Sequence, residues 1–191
     1  MRSSSNDIVS FTLRFFGLFA LVEVAILTGL FPILGFQLFL TQLVSALLTL
    51  PSAHTLVLTS NGAFDITPFC TGITIIAIYL SLWFGIWRKQ PTALGNIARG
   101  GVLLLALNAL RILVVVNVGQ HHSLALAETL HGISWFVLSG VALGMWVHQL
   151  QNETHTRDWK ELGKKLFGRV SLRTFYFLVR VMPFVFVSLR S

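Results

Sequence analysis

The chain has 191 residues, of which 54% are hydrophobic and only 11% charged, against roughly 25% charged in an ordinary soluble domain. With a mean hydropathy of +0.77, too few polar side chains remain to cover a globular surface, and a soluble domain is excluded. The net charge of +7, from 14 Lys+Arg against 7 Asp+Glu, would suggest nucleic acid in a soluble protein. Here the basic residues sit between apolar segments and read as topology signals, so no nucleic-acid partner is expected.

The chain therefore reads as an all-α integral membrane protein with about four transmembrane helices, an outer interfacial helix, a small outer β-hairpin and a basic amphipathic tail. Residues 1–150 form the membrane domain and 151–191 the cytoplasmic tail. At the N-terminus, Arg2 and Arg14 flank an apolar stretch that imitates a signal peptide. Glu23 lies inside it and no A-x-A cleavage site follows, so it reads as an uncleaved first helix. A span needs about 20 mostly apolar residues, which selects 15–34 first. Pro32 and Gly35 then turn the chain. The segment 36–50 is short for a span. Gln37, Thr41, Ser45 and Thr49 recur every four residues in it, a polar stripe suited to a helix lying in the interface.

Next comes an outer segment with Asn61-Gly62, a hairpin turn signal because both residues tolerate positive φ. Leu56, Val57 and Leu58 precede it, and Phe64 and Ile66 alternate with polar residues after it. The second span, 68–87, has a helix-start signal: Thr67 as N-cap and Pro68 at the first helical position. Span three is 100–118 and span four 131–148. Residues 157–173 place Trp159, Leu162, Leu166 and Val170 on one face of a basic helix for the inner leaflet. Residues 175–189 are apolar but short, with Arg180 and Pro183, and read as interfacial or packed on the bundle.

Charge sets the orientation. Arg88, Lys89 and Arg99 separate spans two and three, and Arg157, Lys160, Lys164, Lys165, Arg169 and Arg173 follow span four. The connections 54–67 and 119–130 contain no Lys or Arg. Both termini and the 88–99 loop are thus expected in the cytoplasm, in the cytoplasmic (inner) membrane, with the other two loops outside. Trp83, Trp87 and Trp146 fall near inner helix ends and Trp135 near an outer end, where indole rings favour the interface.

Arg111 is the one basic residue of the 14 outside a cytoplasmic loop or terminal segment. An intramembrane cation costs at least ~2.5–3.5 kcal/mol on insertion scales and marks function unless it snorkels to the headgroups. Asn108 stands at i−3 on the same face, able to bond the guanidinium or to serve as helix–helix glue. Cys70 is the single cysteine, so an intramolecular disulfide is excluded. As the third helical residue of span two it either packs at a helix end or sits as a thiolate favoured by the helix N-terminus. His131 opens span four on the outer side, as an interfacial residue or a proton carrier. His121 and His122 belong to the outer loop, and His148 lies at the inner end. Glu23 is either neutral in the membrane or a partner for Arg111. Gly140 and Gly144 form a small-xxx-small pair for close helix packing. No metal-ligand spacing and no cofactor is implied.

On this topology a thiol, a histidine and a permanent cation fall at one depth. Cys70 as nucleophile, His131 as acid/base and Arg111 as electrostatic stabiliser would constitute a cysteine acyl-transfer site. A non-enzymatic binding or assembly protein using Arg111 and the outer hairpin is the competing reading. A haem protein, suggested by the six histidines, is disfavoured because the outer and inner histidines are poorly placed as an axial pair.

At these residues the chain resembles the exosortase/archaeosortase family of membrane transpeptidases. The carrying motifs are Cys70-Thr71-Gly72 at the head of one span, Asn108-Ala109-Leu110-Arg111-Ile112 in the next, and His131 at the head of the one after. The histidine makes it look like the bacterial exosortases, and the likeness runs over about 15–150. The resemblance implies a peptidase/transpeptidase in which Cys70, Arg111 and His131 are catalytic and Thr71, Gly72 and Asn108 supporting. Its partners would be secreted proteins with a C-terminal sorting signal (a motif, one membrane helix and a basic cluster), cut near the outer face and passed to an acceptor. Against the family pattern, the chain is short and its tail has no counterpart role.

The orientation is tested with a reporter active only outside the membrane. Fusions within 54–67 and 119–130 should be active, and fusions within 88–99 inactive. Were 36–50 also a span, the N-terminus and the 88–99 loop would report opposite sides.

Overall fold

The computed structural model describes residues 4–86, 94–155 and 161, with backbone alone for 4–8. Trp87, the Arg88/Lys89 turn, the amphipathic tail at 157–173 and the apolar segment at 175–189 lie outside the described residues. Helix α1 runs over Ser4–Leu27 and α2 over Ile33–Leu48. Strands β1 (Ser52–Ala53), β2 (Leu56–Thr59) and β3 (Gly62–Asp65) form an antiparallel sheet in that order. A 3₁₀ turn over Pro68–Thr71 leads into α3 (Ile73–Ile86), followed by α4 (Leu94–His121) and α5 (Leu124–Thr154).

Among the described residues, three helices are long and apolar enough to cross a membrane: Val9–Leu27 of α1, α4 with 28 residues and α5 with 31. The expected second span begins as an α-helix later than read from the sequence, since α3 starts at Ile73, with 14 residues described up to Ile86. Its place explains its composition. Ten of its residues are buried, on every face, as befits a helix apolar all round. Phe11, Phe15 and Phe19 of α1 pack on it from one side, in a ladder with centroids 6.2 and 6.3 Å apart. Leu104 of α4 and Leu138, Ala142, Trp146 and Leu150 of α5 close the other sides. Trp83 and Trp146 are therefore sealed in this core, at 0% and 1% exposure, rather than anchored at an interface.

The helix ends also move. The first helix stops at Leu27, where Gly29 takes φ +71° and turns the chain toward α2. Helix α5 starts at Leu124, capped by Ser123, whose hydroxyl accepts from Leu126 N–H at 3.2 Å. His131 thus lies two turns inside α5, not at its head, and Arg111 lies nearly three turns before the end of α4. Because both helices extend toward the connection between them past their predicted limits, the two residues sink together.

The polar stripe of α2 turns inward, contrary to an interfacial role. Gln37, Thr41 and Ser45 are buried. The Gln37 amide donates to the Ile66 carbonyl at 2.7 Å, and Thr41 Oγ1 donates to the Gln37 carbonyl at 2.9 Å and the Thr55 carbonyl at 3.3 Å. Leu34, Phe39 and Leu47 occupy the exposed side instead. Gln37 and Thr41 thereby supply polar partners to carbonyls of the irregular backbone around the sheet, while the Ser45 hydroxyl is buried without a partner among the described residues.

The expected hairpin forms, extended by β1 and with its turn displaced. Thr59 pairs with Gly62, so Ser60 and Asn61 are the central residues, and only Gly62 (φ +150°) takes positive φ there. Asn61 has another task. Its Nδ2 donates to the carbonyls of Gly119 (2.9 Å) and Gln120 (3.1 Å), while Ser60 N–H donates to Gln120 Oε1 at 2.8 Å. The hairpin tip thereby satisfies carbonyls that the last turn of α4 leaves open. The tip of the Phe64 ring stands so close to Gly119 that a Cβ there would run into it. Gly85 and Gly100 are likewise the close-approach glycines, against Phe11 and Tyr79, whereas Gly140 and Gly144 have open space around them. The expected small-xxx-small packing of that pair is not made among the described residues.

Gly119→Ala should therefore overpack the Phe64 contact and cost about 1–3 kcal/mol. Thermal unfolding of the purified chain should show the loss, and Phe64→Leu in the same protein should restore most of it.

Candidate active site

Helix α4 contributes the centre of the site through one inward stripe: Gly100, Leu104, Asn108, Arg111, Val115 and Gly119, all buried and spaced by three or four residues. Two of these positions are polar. Asn108 is 1% and Arg111 6% exposed, so the guanidinium does not snorkel; it is held inside the protein.

Neighbours on α4 and α5 hold it. Arg111 NH1 donates to Asn108 Oδ1 at 3.0 Å. Nε donates to Ser134 Oγ at 2.7 Å, and that hydroxyl donates in turn to the His131 carbonyl at 2.8 Å. NH2 stands 3.0 Å from Nδ1 and 3.1 Å from Nε2 of the His131 ring and 3.4 Å from its carbonyl. Trp135 lies against the guanidinium face, with Cζ 4.9 Å from the ring centroid. A guanidinium only donates, so its contact with the imidazole suits a ring nitrogen that keeps its lone pair. That is the form in which a histidine can take up a proton.

Cys70 is positioned differently from the sequence expectation. It belongs to the separate 3₁₀ turn, and Gly72 at φ +81° breaks the chain before α3 begins at Ile73. The thiol is therefore not in the first turn of the long helix. Thr67 occupies the N-cap position but makes no side-chain cap; its hydroxyl lies 3.3 Å from Cys70 Sγ. Sγ also faces the Asp65 carbonyl at 4.0 Å. Thr71 is fully buried, its hydroxyl donating to the Pro68 carbonyl at 2.5 Å and closing the turn.

Asn108 joins the two halves. Its Nδ2 donates to the Cys70 carbonyl at 2.7 Å while its Oδ1 accepts from Arg111. Gly72 makes this possible, because a Cβ there would stand 2.8 Å from the Asn108 amide. The structure thus brings together Asn108, Arg111 and His131 directly, and Cys70 through its backbone. Among the described residues the thiol itself makes no hydrogen bond with Arg111 or His131; its contacts are Thr67 and Asp65. His121 and His122 are exposed at the end of α4, His148 pairs with Asn152 at 3.3 Å, and Glu23 is half-buried on α1, so the histidines other than His131 stay outside the cluster.

The sequence reading missed Ser134 and Trp135. The signal was present: they stand at i+3 and i+4 from His131, one turn of the same helix face. It was obscured because Trp135 read as an interfacial anchor, and a serine within an apolar helix carries no signal of its own.

Gly72→Ala should be destabilising by about 1–3 kcal/mol, since it places a Cβ at a left-handed backbone position and against Asn108. Thermal unfolding should detect this, and Gly140→Ala, at an open helical position, should not lower the melting temperature.

Comparison of the chain with protein-family models, with curated proteins and with solved structures finds no match.

Proposed function

We propose that this protein is a membrane-embedded cysteine transpeptidase or peptidase that cleaves C-terminal sorting signals of secreted proteins near the outer membrane face. The observation that carries the reading is the linked cluster Cys70–Asn108–Arg111–His131, with a buried cation held between a histidine ring and the turn bearing the thiol. In the reaction, the Cys70 thiol gives its proton to His131 and Sγ attacks the scissile carbonyl carbon. Charge gathers on the carbonyl oxygen, where the Arg111 guanidinium stabilises it in a medium of low dielectric. The tetrahedral adduct collapses to a thioester as the C–N bond breaks, and the imidazolium returns the proton to the leaving amine. An acceptor nucleophile, or water, then attacks the thioester and frees the thiol.

Thr71 and Gly72 support this scheme by shaping the turn, and Asn108 by fixing the Cys70 backbone against the cation. The same proposal makes α3 the fourth crossing of the cytoplasmic membrane. It lies enclosed by α1, α4 and α5, all long enough to span; in this reading the basic residues of the loops set both termini inside and the site toward the outside.

A non-enzymatic binding or assembly role is the second reading. It is favoured by the thiol's contacts, which are with Thr67 and Asp65 rather than with the histidine.

The two readings part on substitution. A secreted protein with a C-terminal helix and basic tail, taken from the same genome and co-expressed, should lose its C-terminal segment with the wild-type chain. Cys70→Ala and Arg111→Ala should each lower processing at least about a hundredfold while the protein still inserts. Mass spectrometry of the new C-terminus distinguishes transfer from hydrolysis. Equal processing by Cys70→Ala would remove the nucleophile and leave the binding role.

A further inference from the structure

The surroundings of Arg111 assign a role to two residues that the catalytic scheme does not use. We propose that Ser134 and Trp135 are positioning residues that clamp the Arg111 guanidinium and fix the direction of its charge toward the Cys70 turn; this rests on the cysteine-site reading above.

The argument starts from the freedom of an arginine. Its long side chain carries about 2 kcal/mol of rotamer entropy, and a cation acts on a reacting atom only if it is oriented before the reaction. Asn108 and His131 hold the two terminal nitrogens. The Nε and the face of the guanidinium meet two further groups of α5. Ser134 sets Nε, at 2.7 Å, and cannot turn away freely because its own proton is engaged by the His131 carbonyl at 2.8 Å. Trp135 sets the plane, with its ring 4.9 Å from Cζ. An aromatic face attracts a cation without neutralising it. A carboxylate in that position would hold the guanidinium as well but would cancel the charge the chemistry needs. A neutral hydroxyl and an indole therefore hold the guanidinium without themselves removing its charge.

The arrangement is also economical in backbone. His131, Ser134 and Trp135 stand at i, i+3 and i+4 of α5, so one helical turn presents the acid/base group and both sides of the clamp to a residue of α4. A shift of that turn moves all three together.

The test uses the single cysteine as its own reporter. The second-order rate constant for alkylation of Cys70 by iodoacetamide is measured on the purified full chain at pH 7. Arg111→Gln should slow it. Ser134→Ala and Trp135→Leu should each slow it about fivefold to tenfold, the size expected for loss of one charge-assisted contact. Ser134→Thr and Trp135→Phe, which keep the hydroxyl and the aromatic face, should stay within about twofold of wild type. In the Arg111→Gln background, Ser134→Ala and Trp135→Leu should add nothing, since they act through the guanidinium.

Wild-type alkylation by Ser134→Ala and Trp135→Leu would overturn the clamp. So would an equal slowing in the Arg111→Gln background, which marks a role in packing alone. The reporter cleavage assay separates the two levels. Cleavage that survives Cys70→Ala ends the transpeptidase reading, whereas cleavage that needs Cys70 and Arg111 but ignores Ser134→Ala and Trp135→Leu ends only the clamp.

Discussion

A permanent cation enclosed in an apolar bundle is the constraint around which the sheet-bearing half of this protein is arranged. Burying an unpaired charge is costly enough that the fold must supply partners. Here Asn108 comes from the same helix, His131, Ser134 and Trp135 come from α5, and the Cys70 carbonyl is drawn in through the Asn108 amide. The turn before α3, the inward face of α4 and one turn of α5 are thereby registered to one another. Gly72 belongs to the same constraint, because its missing side chain leaves the space that Asn108 fills.

The small sheet serves this arrangement from above. It hands the chain from α2 to the thiol-bearing turn, and it is fastened at both ends. Gln37 of α2 holds the Ile66 carbonyl, just before Thr67, and Asn61 at the hairpin tip holds the last carbonyls of α4. An apolar patch of Leu40, Val44, Val57, Ile66, Ile112 and Val116 fills the space between. The cysteine turn is therefore held by α2, by the sheet and by α4 at once, which is how a short 3₁₀ segment can keep a reproducible geometry. At the opposite end of the bundle, Tyr79 donates to the Asn96 carbonyl at 3.0 Å and also bonds Gln149, and the Asn96 amide donates to Glu153 at 2.6 Å. This second polar network ties α3, α4 and α5 together away from the site.

Much of this was legible in one dimension. The apolar runs marked the helices, the Asn61-Gly62 region marked the hairpin, and Arg111 with Asn108 stood out because intramembrane polar residues are rare. Errors arose where a residue had two uses that look alike in sequence. The stripe Gln37, Thr41 and Ser45 has the same period whether it faces headgroups or a folded loop. Trp83 and Trp146 sit near helix ends, yet the packing of α1, α4 and α5 around α3 encloses them. Thr67-Pro68 reads as the start of a helix, but Gly72 interrupts it, and the Thr67 hydroxyl turns to the sulfur instead of to backbone N–H groups.

The sequence by itself determined that the chain is an apolar helical protein with helices able to cross a membrane. It also singled out Cys70, Asn108, Arg111 and His131, because composition and the cost of burying charge are local properties of residues. Only the tertiary structure decided which of them meet. The contact of Arg111 with His131 depends on how far α4 and α5 extend past the loop between them. Its partners Ser134 and Trp135 become visible only when two helix faces are laid together, and the separation of the thiol from the histidine depends on a left-handed glycine between two helical segments. Such relations are set by packing between elements distant in sequence, which a pattern read along one chain does not contain.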